Sequence, residues 1–230
     1  MLSEDLRQEL YLIADKLRAS GTLALAFGTN PYELERGDEL HRAATRLRGL
    51  ADGLAGPDEI VPTAVFEHDG ARRVSPVVGV EAVVVAEERL LLARRCDSGA
   101  WCLPGGICEV GQTPADAALK ELWEEAGLRG EVVRLLGVFD NRFWGSRSSV
   151  HSILLAFEVR PDGRETSPGT EMLETGWFAL DDLPADFHPG HEARVRRSLE
   201  LLRTSDTHHD PATSIGTELS TRQRPEVNPD

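Results

Sequence analysis

GGICEVGQTPADAALKELWEEAGL, residues 105–128, sets a glycine-rich loop directly ahead of a short helix carrying Glu121, Glu124 and Glu125. An α-helix turns about 100° per residue, so offsets of zero, three and four hold these carboxylates within roughly a 100° arc. Like charges so spaced repel, and either plain solvation or a bound cation must offset them. Local punctuation predicts the limits of the helix: Thr113 as N-cap, Pro114 at the first helical position, Asp116 in the first turn and Gly127 as the stop. Ala118, Leu119 and Leu122 supply its apolar face. The glycines allow the loop to run tightly against the helix, where a backbone carbonyl beside carboxylates suits a hard cation.

Outward from this segment the chain reads as strands. VVGVEAVVVA (77–86) and RLLLARR (89–95) are predicted to form a hairpin joined at Glu87-Glu88. VVRLLGVFD (132–140), SVHSILLAFEV (149–159) and TGWFALDDLP (175–184) supply three more strands, and HEARVRRSLELLR (191–203) a closing helix. Such a mixture predicts an α+β fold with α/β/α layering. Upstream, residues 1 to about 55 read as helical. Leu6, Leu10, Ile13 and Leu17 form one stripe, Gly21 is the expected stop, and a second helix begins at Pro31. Two helices of this size have too little core to stand alone, so packing on the remaining chain or on a second subunit is expected. The domain expectation is therefore a helical unit over 1–58, a linker at GPDEIVP (56–62), a main domain over 72–203 and a disordered tail over 204–230.

The 230 residues carry a formal charge of −14. A surface so acidic disfavours nucleic acid, while small phosphorylated substrates remain accessible if metal ions sit between. No apolar run approaches a membrane span, and the charged start at Met1 argues against a leader peptide. Three cysteines without a CxxC pair fit a reducing cytoplasm. In FDNRFWGSRSSVHS (139–152), Arg142, Phe143, Arg147 and His151 gather in a predicted loop, where they suit base stacking and phosphate binding. His188 and His191 read as a turn, and Trp101 as core.

Residues 106–128 resemble the Nudix box, G-x5-E-x7-R-E-U-x-E-E-x-G-U with U aliphatic. Gly106, Glu121, Leu122, Glu124, Glu125, Gly127 and Leu128 fall on the pattern, and Trp101-Cys102-Leu103-Pro104-Gly105-Gly106 is similar to the family's lead-in. Gln112 and Lys120 depart from it, replacing a Glu and an Arg that tie loop to helix; a Gln112–Lys120 contact is the expected substitute. The resemblance implies a Nudix α/β/α sandwich that hydrolyses a nucleoside diphosphate linked to X, giving a nucleoside monophosphate and phospho-X. It implies Mg²⁺ or Mn²⁺ held by Glu121, Glu125, Glu124 and the Gly105 carbonyl. Glu124 is then the expected general base, Glu121 a second catalytic carboxylate, and Glu171 or Glu174 a further base or ligand.

About residues 6 to 200 also resemble Nudix proteins with a helical N-terminal domain, in which Tyr32 and Glu35 match the start of a helix. That subgroup includes CDP-choline and ADP-ribose pyrophosphatases and implies a homodimer. Two alternatives stand beside it. A nucleoside triphosphate pyrophosphatase would release inorganic pyrophosphate. A nucleotide sensor without turnover is made thinkable by Gln112 and Lys120, although the chain shows no basic recognition helix.

Overall fold

A computed structural model describes residues 4–53, 75–109, 111–148 and 150–212. Two helices, α1 (Glu4–Phe27) and α2 (Pro31–Asp52), precede a mixed sheet. Its strands are β1 (Val77–Ala86), β2 (Arg89–Arg95), β3 (Trp101–Cys102), β4 (Gly105–Ile107), β5 (Gly130–Asp140), β6 (Ser152–Pro161), β7 (Met172–Ala179) and β8 (His208–His209). Helix α3 (Pro114–Ala126) follows β4, and α4 (His191–Leu201) follows β7.

The β1–β2 hairpin turns at Glu87 and Glu88, both in the left-handed region at φ 49° and 58°, as a two-residue hairpin turn requires. β1 is central: it pairs in parallel with β6 from Val77↔Ser152 to Val84↔Val159, and antiparallel with β2 and β4. Period-two alternation gives β1 two buried faces. Val80, Ala82 and Val84 pack with Leu91 under Ala118, Leu122 and Ala126 of α3. Val83 packs on the opposite side with Leu90, Leu92 and Phe139 against Val195 and Leu201 of α4. The α+β class and the α/β/α layering predicted above are therefore present.

Helix α3 keeps its expected ends. Thr113 Oγ1 accepts the Asp116 N–H at 3.1 Å, and Gly127 turns at φ 63° while its N–H reaches the Trp123 carbonyl at 2.9 Å.

The N-terminal helices differ from expectation. Gly21 does not stop α1. A Cβ there would stand 2.5 Å from His41 Cδ2 and 2.8 Å from the Gly37 carbonyl oxygen, so this glycine lets α2 approach. The buried stripe of α1 is Arg7, Tyr11, Ala14 and Gly21, whereas Leu6 and Ile13 of the leucine stripe each remain 37% exposed. Asn30 caps α2 by accepting the Glu33 N–H at 3.0 Å, ahead of Pro31.

The chain expected to be a tail from Thr204 is docked as far as Asp210. Arg134 donates to the carbonyls of Leu201 at 2.6 Å, Thr204 at 2.9 Å and Asp206 at 3.0 Å. β8 then pairs in parallel with β5. Asp210 accepts from the Asp140 N–H at 2.6 Å and from Trp144 Nε1 at 2.9 Å. The linker at 56–62 and the rest of the tail, 213–230, lie outside the described residues.

Candidate active site

The loop before α3 runs close against Glu121 of the helix and against the backbone of β1. A Cβ on Gly106 would stand 2.5 Å from Cδ and Oε1 of Glu121, and one on Gly105 would stand 2.3 Å from the Val80 carbonyl oxygen. Gly105 N–H donates to Glu125 Oε2 at 2.8 Å. Glu121 and Glu125 thus face the same loop one helical turn apart. They line a cleft of about 1150 Å³ with Glu109, Glu124 and Glu171, opposite only two cations among its lining residues, Arg95 and Lys120. Burial pushes Glu125 up to about 8, with Glu121 and Glu171 adding to it against the Gly105 N–H. Burial likewise raises Glu121. Among the described residues, no three His, Cys, Asp or Glu side chains form a ready-made metal cage.

The tie between loop and helix differs from expectation. Lys120 Nζ lies 3.4 Å from Glu109 Oε1 and 2.8 Å from Glu124 Oε2. Gln112 instead folds the loop on itself, its Oε1 accepting the Glu109 N–H at 3.0 Å. An acidic partner for the helix cation is therefore retained, displaced by three residues to Glu109.

The two candidate acids before β7 separate. Glu171 lines the cleft, whereas Glu174 pairs with Arg94 at 2.9 Å. The loop carrying Glu171 lies against α3: the Gly169 N–H donates to the Glu125 carbonyl at 3.2 Å, and a Cβ on Gly169 would overlap the Glu124 carbonyl oxygen.

None of Arg142, Phe143, Arg147 and His151 lines the carboxylate cleft. Arg142 Nε donates to Asp140 Oδ1 at 2.8 Å, its guanidinium stands 5.3 Å from the Phe143 ring, and His151 Nε2 lies 3.2 Å from Asp140 Oδ2. Arg142 and His151 instead line a small pocket with Gln8, Tyr11 and Asp15 of α1, and Arg142 and Phe143 line another with His209 and Asp210. A smaller chamber of about 170 Å³ shares Arg95, Gly105 and Gly106 with the cleft, and its far wall includes Asn141, Ser146, His188, His191 and Arg194.

That chamber is built on a charge the sequence concealed. Glu81, mid-β1 and only 2% exposed, accepts from Arg194 Nη2 at 2.6 Å and Nε at 3.2 Å. Burial lowers His188 to about 4 and holds His191 well below its ordinary value. Arg95, at the mouth of both spaces, is gripped by Asp97 through Nε at 3.0 Å and Nη2 at 2.8 Å. Glu81 did carry a signal: a lone acid inside an apolar strand needs a buried partner. Arg95 carried none, because arginine at a strand end reads as an exposed charge.

Among the described residues, no helix is long and apolar enough to cross a membrane. The YjhB protein of Bacillus subtilis strain 168 is 30% identical over 174 residues, covering 74% of this chain and 81% of YjhB. A solved ADP-ribose pyrophosphatase from Streptococcus suis 89-1591 is 32% identical, covering 58% of this chain and 97% of its own, with a TM-score of 0.52. A solved UDP-X diphosphatase, 22% identical, matches the fold over 87% of this chain and 97% of its own with a TM-score of 0.54. Residues 75–199, which hold the whole carboxylate cleft, match the model of the NUDIX domain, and the chain belongs to that family.

Proposed function

We propose that this chain hydrolyses the pyrophosphate bond of a nucleoside diphosphate linked to X, with ADP-ribose-like substrates foremost and CDP-choline-like ones second. The observation that carries this reading is the cleft lined by Glu121, Glu125 and Glu171, with Glu121 against Gly106 and Glu125 accepting the Gly105 N–H. The name of the Streptococcus suis relative favours ADP-ribose.

The donor set fits a hard divalent cation. Five carboxylates against two cations leave the cleft short of positive charge, and Glu125 is buried with no counter-charge in contact. Glu121 and Glu125 would hold Mg²⁺ or Mn²⁺, with Glu124, Glu171 and the Gly105 carbonyl as further oxygen donors. The missing closed cage suits an ion that keeps waters and substrate phosphates in its shell. When bound, such an ion neutralises diphosphate oxygens and acidifies water.

The protein's own groups do the rest. Arg95, held rigid by Asp97, binds the diphosphate at the junction of cleft and chamber. The chamber takes the nucleoside end. Glu124, paired with Lys120 at 2.8 Å, accepts the proton of the attacking water, and Glu171, which also lines the cleft, is the alternative base. Water oxygen bonds to one phosphorus, the bridging P–O bond breaks, and the products are a nucleoside monophosphate and phospho-X.

Residues 1–58 act as the helical domain, and the catalytic domain, expected over 72–203, extends to at least 210. The uncovered Leu6 and Ile13 on α1 support a homodimer through this domain, which light scattering would test. The acidic surface and unpaired cysteines support a cytoplasmic setting.

The test is incubation with ADP-ribose and, separately, CDP-choline, with Mg²⁺ or Mn²⁺ and an EDTA control. Released monoesters are read as phosphate after added phosphatase. Metal-dependent release, lost in Glu125→Gln, supports the reading. Release of inorganic pyrophosphate from triphosphates alone would replace it.

A further inference from the structure

Among the described residues, two hydrogen bonds tie helix α1 to the loop that walls the chamber. Gln8 Nε2 donates to the Ser146 carbonyl at 2.9 Å, and Asp15 Oδ2 accepts the His151 N–H at 3.0 Å. Asp15 is itself oriented by Arg18, whose Nε lies 3.1 Å from the other carboxylate oxygen. His151 is held on its remaining sides as well. Its carbonyl accepts the Val77 N–H at 3.1 Å where β1 begins, and its ring approaches Asp140 at 3.2 Å.

The contact continues inward through backbone. A Cβ on Gly190 would stand 2.9 Å from both N and Cα of Ser146, so the loop that Gln8 holds is seated against the start of α4. Gly190 takes φ 86° and is the N-cap of α4. His191 and Arg194, directly after it, share the walls of the 170 Å³ chamber with Ser146 and Asn141. Asn141 fastens the same loop by donating to the Val150 carbonyl at 2.9 Å and accepting the Ser152 N–H at 3.1 Å.

We infer that Asp15 and Gln8 are positioning residues: through the 141–151 loop, helix α1 sets the wall of the chamber that receives substrate, so the helical domain is part of the binding site. The inference rests on the substrate placement proposed above. Asp15 touches no reacting atom, and its loss should weaken binding without altering the chemical step. Removing the acceptor leaves the His151 N–H unsatisfied and frees the loop to fluctuate, which corresponds to roughly a tenfold rise in KM.

The experiment compares Asp15→Ala, Asp15→Asn and Gln8→Ala by steady-state kinetics on the hydrolysed substrate and by hydrogen exchange of the 141–151 peptide. Asp15→Ala should raise KM about tenfold with kcat within about twofold, the signature of lost uniform binding. It should also speed exchange over 141–151. Asp15→Asn, which keeps an acceptor oxygen, should restore both readouts, and Gln8→Ala should shift KM about threefold in the same direction. An unchanged KM, or unchanged exchange over 141–151 in Asp15→Ala, would overturn the inference and leave the hydrolase reading intact. If the wild type turns over no nucleotide, the hydrolase reading falls, and exchange alone decides whether α1 holds the loop. Should Asp15→Ala fail to fold, Gln8→Ala decides between the same two outcomes by KM and exchange.

Discussion

Gly106→Ala separates the placement of one carboxylate from the rest of the fold. The added Cβ would stand 2.5 Å from Cδ and Oε1 of Glu121 and 2.8 Å from Oε2, roughly 1 Å inside ordinary contact. All three atoms belong to the end of a flexible side chain, so the clash is relieved by swinging the carboxylate aside while the β4–β1 register stays. A misplacement of about 1 Å at a reacting group costs roughly 100-fold in rate, or about 2.7 kcal/mol of transition-state stabilisation. Stability should fall by less than about 1 kcal/mol, lowering Tm by no more than about 4 °C. The neighbouring glycine is the control. A Cβ on Gly105 would meet the Val80 carbonyl oxygen at 2.3 Å and Glu81 Cα at 3.1 Å. That is backbone with no room to move, so Gly105→Ala should lower Tm sharply. The assay pairs kcat/KM under saturating Mg²⁺ with thermal melts of both variants. Turnover of Gly106→Ala within about threefold of wild type would refute the reasoning, as would a Tm loss equal to that of Gly105→Ala.

Arg194→Met should cost about 3–5 kcal/mol in denaturant unfolding because it leaves Glu81 charged and buried, and adding Glu81→Gln should recover much of it. Acid should weaken the fold through His188, lowered by burial to about 4. The unfolded imidazole titrates near 6.5, so the contribution is complete above about that pH and is lost as pH falls toward 4. Glu125, raised to about 8, works in the opposite direction. The readout is therefore the difference in unfolding midpoint between wild type and His188→Gln at neutral and acid pH, which should shrink on acidification. Gly21→Ala should lower Tm even though alanine favours a helix by about 1 kcal/mol. Overpacking against His41 and the Gly37 carbonyl costs about 1–3 kcal/mol, and a higher Tm would show that the helices can part.

Elements whose causes are local were legible in the chain alone. Helix α3, its Thr113 cap and its Gly127 stop, and the hairpin turn at Glu87-Glu88 all follow from spacings of one to four residues. So does the carboxylate cluster, since Glu121 and Glu125 share a face wherever the helix is placed. The remaining features depend on partners distant in the chain, and only packing reveals them. Gly21 carries the stop signal of a helix end, yet serves as a crossing point because Gly37 and His41 come against it. Lys120 finds Glu109 rather than Gln112 because the loop folds back through a backbone hydrogen bond. Arg95 and Arg194 look like surface charges until β2 and α4 bring them to the cleft and to Glu81. Residues 204–210 show no apolar pattern, because Arg134, Asp140 and Trp144 hold them by hydrogen bonds and Phe139 by stacking on the His208 ring. Periodicity reports which face of an element is apolar; which distant group meets that face is settled only when the elements pack.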